Sequence, residues 1–261
     1  MKIGIRHGSL GGPPMDEMFQ MAAEIGFDGV ELEVAAKYEE TLLATDDGRA
    51  KLVEYSRHHG VEIPSLCVGA LWATSPAATD PDLLARSRYL IDEAIEAAVA
   101  VGARWILIPI TPSEEEITKE ECQRRWVQEM TRAAALAKQA DVVLCLENVG
   151  RGCGQSAEDL KYLADQVAST HVKTYYDVGN ACNFGFDALG EIELLQDLLG
   201  VVHIKDYEGQ LLGEGKVDIP GCVDQLRRVG YDGWLILETP PTDNPLEAGN
   251  YNLAYLRDIV D

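Results

Sequence analysis

Short apolar runs rich in Val, Ile and Leu alternate along the chain with longer stretches in which Ala, Leu and charged residues recur at helical spacing. The first kind of segment predicts a strand and the second an amphipathic helix. The predicted strands cover 2–6, 29–34, 62–68, 105–110, 142–147, 174–177, 201–205 and 234–238. A predicted helix follows each, over 16–25, 46–59, 81–101, 119–139, 157–168, 191–199, 220–229 and 245–259. The helix ends carry their own chemistry. Asp80-Pro81 offers an N-cap followed by Pro at the first helical position. Gly26, Gly60, Gly102 and Gly230 lie where a left-handed residue would close a helix. The strings Ile25-Gly26-Phe27-Asp28-Gly29 and Val229-Gly230-Tyr231-Asp232-Gly233 are near-copies, each a helix end turning into a strand.

Eight strand–helix units in 261 residues average about 33 residues each, close to the ~30 of a βαβ unit. Strands this apolar want cover on both faces, which an outer ring of helices supplies. The predicted fold is therefore α/β, a single (β/α)₈ barrel over residues 1–261. A doubly wound open sheet is the alternative. It would usually show a Gly-rich phosphate turn after the first strand, and Gly8-Ser9-Leu10-Gly11-Gly12 lacks that spacing. Gly213-Glu214-Gly215 sits in a long loop and reads as flexible loop rather than nucleotide cradle.

Charge narrows the partners. The chain has 22 Lys+Arg against 44 Asp+Glu, a net charge of −22. That balance argues against nucleic acid, whose binding relies on cationic side chains replacing counterions, and against anionic membrane surfaces. No apolar stretch approaches the ~18 residues of a membrane span, and MKIGIRHGSL turns polar too soon for a signal peptide. The six cysteines form no Cys-x-x-Cys pair, and Cys67 and Cys145 lie in apolar runs as buried thiols. A cytoplasmic protein is the expectation.

In such a barrel the carboxyl ends of the strands carry the chemistry. Four consecutive predicted strands end in or near Glu147, Asp177, His203 and Glu238. One acid at a strand end is usually a loop cap or an ion-pair partner. Four polar groups on adjacent strands, all at one end, would be very costly to bury unpaired. A divalent cation resolves that cost, since three carboxylates and an imidazole suit a mostly oxygen site. Mn²⁺, Mg²⁺ or Co²⁺ fits best, with Zn²⁺ also admissible.

These residues also carry a family resemblance. Gly29-Val30-Glu31-Leu32, Leu146-Glu147-Asn148, Asp177-Val178-Gly179-Asn180, His203-Ile204-Lys205-Asp206 and Leu237-Glu238-Thr239 together resemble the xylose-isomerase-like barrel superfamily, in its sugar-phosphate isomerase/epimerase branch. The likeness spans essentially the whole chain and is not specific for one reaction. It implies that Glu147, Asp177, His203 and Glu238 hold one divalent metal, Mn²⁺ foremost. It implies further that Glu147 and Glu238 face each other across the substrate as catalytic acid and base. The expected activity is isomerisation or epimerisation of a sugar or sugar phosphate. A proton next to a carbonyl would be removed through a metal-stabilised enediolate and returned to the other face.

The sequence also departs from that pattern. Some relatives have a substrate-contacting His three residues after the strand-six Asp, where this chain has Asn180. Relatives that epimerise free ketoses tend to have an Arg soon after the strand-seven His, where this chain has Tyr207-Glu208-Gly209. The His-x-Lys-Asp string looks instead like the inosose-dehydratase-like branch, so a lyase on a keto-polyol is the runner-up. An abasic-site endonuclease shares the barrel but needs more histidines at strand ends, and a sugar sensor has no feature that requires it.

Lys205 shares a strand face with His203. It either reaches substrate or a metal-bound carboxylate, or forms a salt bridge to Asp206 or a strand-eight acid. His7, Trp72, Asn180, Lys205 and Arg151 are the candidate substrate contacts. Arg6 and Glu33 are further pocket residues, and Glu31 is expected to partner a neighbouring Arg or Lys. His58, His59 and His171 are read as remote. Specificity is expected in the loops around 9–14, 71–79, 111–116 and 208–217, and homo-oligomerisation is left open.

Overall fold

The computed structural model describes residues 1–260. Eight parallel strands close into a barrel in sequence order: β1 (Lys2–Arg6), β2 (Gly29–Glu33), β3 (Ser65–Cys67), β4 (Trp105–Pro109), β5 (Val143–Glu147), β6 (Val172–Asp177), β7 (Leu199–Ile204) and β8 (Trp234–Leu237). The β1–β8 pairing completes the ring. Helices α1 (Met15–Ile25), α2 (Asp46–His59), α3 (Pro81–Val101), α4 (Lys119–Ala140), α5 (Ala157–Val167), α6 (Val178–Asn183), α7 (Ala188–Leu195), α8 (Ile219–Arg228) and α9 (Pro245–Val260) complete the order. The (β/α)₈ prediction is thus met.

The capping logic holds. Asp80 accepts a hydrogen bond from Asp82 N with Pro81 at the first helical position. Gly26, Gly60 and Gly102 cap α1, α2 and α3 in the left-handed region.

Boundaries differ where backbone chemistry interferes. The third strand shrinks to Ser65–Cys67 because Pro64 has no N–H to give a ladder, leaving Glu62 only an isolated bridge to Gly29. The stretch predicted as one helix over 191–199 is α7, started early by Asp187 accepting from Leu189 N. A 3-10 turn (Gln196–Leu198) follows, and β7 then begins at Leu199. The short α6 was not predicted.

Two apolar layers result. Outward residues such as Val30, Leu32, Leu144 and Val202 pack on the helices. Inside the barrel lie Cys67, Leu107, Val143, Cys145, Tyr175, Val201 and Ile236, with Trp105 and Trp234 beside them. All six cysteines are free, and Cys67 and Cys145 are buried as expected. Among the described residues, no helix is long and apolar enough to cross a membrane.

One irregularity positions the site. Thr174 pairs with Leu199, but the next residue, Tyr175, pairs with Val201, so Gly200 is an extra residue on β7. The shift sets Asp177 opposite His203. Without it Asp177 would lie opposite Val202, whose side chain belongs to the outer layer. Gly200 faces the crowded interior, where a Cβ would come within 2.8 Å of Cys145 Sγ.

Candidate active site

The strand ends converge as the parity of the sequence predicts. One side-chain ligand atom from each of Glu147, Asp177, His203 and Glu238 lies within 4.8 Å of the others. Asp177 and His203 are fully buried, and Glu147 is 6% exposed. His203 Nδ1 faces the three acids, 3.3 Å from Glu147 Oε1, 3.6 Å from Glu238 Oε2 and 3.8 Å from Asp177 Oδ2. Its Nε2 points the other way, 3.1 Å from Glu31 Oε1.

Two cations brace the acids. Lys205 Nζ is 2.7 Å from Glu238 Oε2 and 2.8 Å from Asp177 Oδ2. Arg6 Nη1 is 2.5 Å from Glu238 Oε1, and its Nη2 is 3.3 Å from Glu33 Oε2. Lys205 therefore takes the strand-eight acid, not Asp206. Asp206 is spent on its own loop, accepting from the backbone N–H of Tyr207, Gly213, Gly215 and Val217. The stem of Lys205 passes close over α6, where a Cβ at Gly179 would meet Lys205 Cγ at 2.3 Å.

The surroundings split the two candidate acid–base groups. Burial pushes the Glu147 carboxyl up, and the charges of Glu238 and Asp177 add to the rise against the lowering by His203. Glu238 is also buried, but His203, Lys205 and Arg6 outweigh that and hold it well below the usual carboxylate range. Environments that drive two carboxyls apart suit one to carry a proton while the other stays ionised.

The residues fit a divalent cation on grounds of donor chemistry. Three carboxylates and one imidazole nitrogen suit Mn²⁺, Mg²⁺ or Co²⁺. Asp177 Oδ2 is buried and, despite the nearby Lys205 ammonium, has no hydrogen-bond donor directed at it. A buried carboxylate oxygen without a directed donor is costly, and a cation would satisfy it.

The remaining candidates are dispersed. Asn180 sits on α6, where its Nδ2 donates to Asn148 O at 2.8 Å and its backbone N to Asp177 Oδ1 at 2.7 Å. Its amide group is thus partly spent on joining the ends of β5 and β6. Trp72, on a 3-10 turn after β3, is 52% exposed, and the Arg151 guanidinium lies 5.7 Å from its ring centroid. These two make a pair on the loops rather than joining the four-residue group. His7 lines a small cavity with Met15, Leu32, Leu43 and Leu52. A separate cleft of about 460 Å³ opens beside the acids, lined by Arg6, Ser9, Lys205, Glu238 and Thr239 among others. His59 pairs with Asp16 on the surface, and His171 lies near Asp141.

Glu31 requires a correction. It does not partner an Arg or Lys. It is fully buried, and besides His203 Nε2 it accepts from Tyr175 OH at 2.5 Å and Ser65 Oγ at 2.7 Å. Neither Tyr175 nor Ser65 was singled out from sequence. The available signal was parity: Tyr175 lies two residues before Asp177, and Glu31 two before Glu33, on the inward faces of their strands.

Comparison with known proteins agrees with this fold. The family described as xylose isomerase-like TIM barrel matches residues 19–259. The chain belongs to that family. An L-ribulose-5-phosphate 3-epimerase of Escherichia coli is 26% identical over 230 residues, covering 85% of this chain and 81% of the relative. The solved structure of a 3-keto-D-glucoside 4-epimerase from Escherichia coli superposes with a TM-score of 0.85 at 22% identity, covering 99% of each chain. A D-allulose 3-epimerase from Methylomonas sp. gives a TM-score of 0.85 at 18% identity, covering 99% of this chain and 98% of the other. Both structural likenesses speak to the fold.

Proposed function

We propose that this protein is a divalent-metal-dependent epimerase or isomerase of a sugar or sugar phosphate. The observation that carries the reading is the convergence of Glu147, Asp177, His203 and Glu238 within 4.8 Å. The names of the relatives, which include ketose-phosphate and ketose 3-epimerases, point to inversion next to a carbonyl.

Glu147, Asp177, His203 and Glu238 would hold the cation. When bound, it supplies Lewis acidity that polarises neighbouring substrate oxygens. The protein supplies the proton transfers. Glu147 and Glu238 come from β5 and β8, three strands apart around the ring. They would flank a ketose, one removing the proton beside the carbonyl and the other returning a proton to the opposite face. Without the cation, His203, Lys205 and Arg6 hold Glu238 low while burial pushes the Glu147 carboxyl up; a bound cation would favour the ionised form of both. Lys205 lines the open cleft and would meet a substrate hydroxyl or phosphate there. Arg151 and Trp72, paired on the loops, and Asn180 would be further substrate contacts, whereas His7 opens on its own small cavity.

The test is incubation of the Mn²⁺-supplied protein with L-ribulose 5-phosphate and a panel of ketoses and ketose phosphates in D₂O. Deuterium is expected at the carbon next to the carbonyl, with inversion there. Glu147→Gln and Glu238→Gln should each lower turnover by about 10²–10⁴-fold. No exchange with any substrate would sink the reading. A lyase on a keto-polyol, suggested by Lys205 beside the acids, would instead show enone absorbance with keto-inositols.

A further inference from the structure

Glu31 is a fully buried carboxylate on the floor of the site that belongs to none of the four candidate ligands. Burying such a group is justified energetically only if its oxygens are well partnered. Here both are. Oε1 faces His203 Nε2 at 3.1 Å, and Oε2 takes the hydroxyls of Tyr175 and Ser65. Tyr175 does a second thing: its ring stands edge-on to the imidazole, with centroids 4.5 Å apart at 62°.

We infer that Glu31, locked by Tyr175 and Ser65, is the positioning residue that commits His203 to bind metal through Nδ1. The inference rests on the metal reading above. The imidazole has two nitrogens, and in the neutral ring only one bears the proton. An acceptor fixed at Nε2 keeps the proton there and leaves the Nδ1 lone pair toward Glu147, Asp177 and Glu238. The clamp is threefold, because the ring is gripped by Oε1 and by the Tyr175 edge while Ser65 and Tyr175 hold the carboxylate itself. It draws on β2, β3 and β6 to orient a residue on β7. The four-ligand count therefore understates the centre, which extends one layer deeper into the barrel.

The experiment is calorimetric titration of the full chain with Mn²⁺ alone, comparing wild type, Glu31→Gln and Tyr175→Phe, with thermal unfolding measured alongside. Glu31→Gln is expected to weaken Mn²⁺ binding about 10–100-fold, as other outer partners of metal-bound histidines do. Tyr175→Phe should weaken it about threefold to tenfold, since Ser65 still donates to Oε2. Nitrogen-15 spectra of Zn²⁺-loaded wild type should place the His203 proton on Nε2. A merely structural Glu31 would lower the melting temperature and leave the Mn²⁺ affinity of the folded variants alone. Tyr175→Phe keeps the ring and decides the question if Glu31→Gln does not fold. Wild-type affinity in the folded variants, or a proton on Nδ1 in the loaded protein, would overturn this inference while leaving the metal reading intact. Failure of wild type to bind Mn²⁺ would overturn both.

Discussion

Lys205 Nζ lies 2.8 Å from Asp177 Oδ2, an oxygen at which no hydrogen-bond donor is directed. The lysine is thus the charge counterweight of a carboxylate whose other oxygen, Oδ1, is held by the Asn180 backbone N–H. Removing one partner of a buried ion pair costs about 3–5 kcal/mol, mostly from the charge left behind. Lys205→Met should therefore destabilise the metal-free protein by an amount of that order, reduced by the partial exposure of the lysine. Mn²⁺ should restore much of the loss by taking over the neutralisation of Asp177 and Glu238. Urea unfolding with and without Mn²⁺ reads this directly. Equal losses in both conditions would contradict the assignment.

Gly179 is small because Lys205 needs the space. A Cβ there would stand 2.3 Å from Lys205 Cγ and 3.0 Å from the Lys205 carbonyl oxygen. The second contact is with backbone, so rotation of the lysine alone does not relieve it. Gly179→Ala should cost about 1–3 kcal/mol through overpacking and should impair catalysis by moving Lys205. Thermal unfolding and turnover should fall together. A variant with native stability and turnover would show that the loop absorbs the methyl freely.

His7 gives a pH prediction. Burial lowers its pKa below the ordinary 6.5, with Glu33 opposing and Arg6 adding to the effect. The unfolded chain then takes up the proton first as pH falls. Stability contributed by neutral His7 is complete above 6.5 and declines below it, toward the lower folded value. The difference in urea midpoint between about pH 7.5 and about pH 5.5 should shrink in His7→Leu. An unchanged difference would show that His7 titrates alike in both states.

Thiol reactivity should single out one cysteine. Five of the six are buried and Cys182, on α6, is half-buried. Under native conditions a thiol-exchange reagent should react quickly with one group, and Cys182→Ser should abolish that fast phase. Rapid loss of more than one thiol would mean that the interior opens on the same timescale.

The barrel was legible because each unit repeats an apolar strand and an amphipathic helix, with glycine stops closing the first three long helices, signals that are local in sequence. The four candidate ligands were legible because each ends a strand and the fold brings strand ends together. Glu31 was misread for a physical reason. Its partner is His203, 172 positions away across the ring, and only the closed barrel shows which polar groups share its depth. Trp72 and Arg151 illustrate the opposite limit: they lie on loops, where no periodicity tells which way a side chain turns. The strand-six end was predicted correctly, yet α6 behind it was missed because six residues carry too little periodicity to read.

The extra residue at Gly200 has a consequence for how this barrel can change. It works as a spacer that corrects the phase between two segments of chain: Glu147 and Asp177 lie before it, His203 and Glu238 after it. Across the β6–β7 seam, the inward-facing groups of the two strands are matched by that single insertion. Deleting Gly200 would leave all four ligand residues in the polypeptide and yet turn His203 and Lys205 out of phase with Asp177. Point substitutions can tune such a centre one ligand at a time, whereas a one-residue gain or loss in this stretch dismantles it at a stroke.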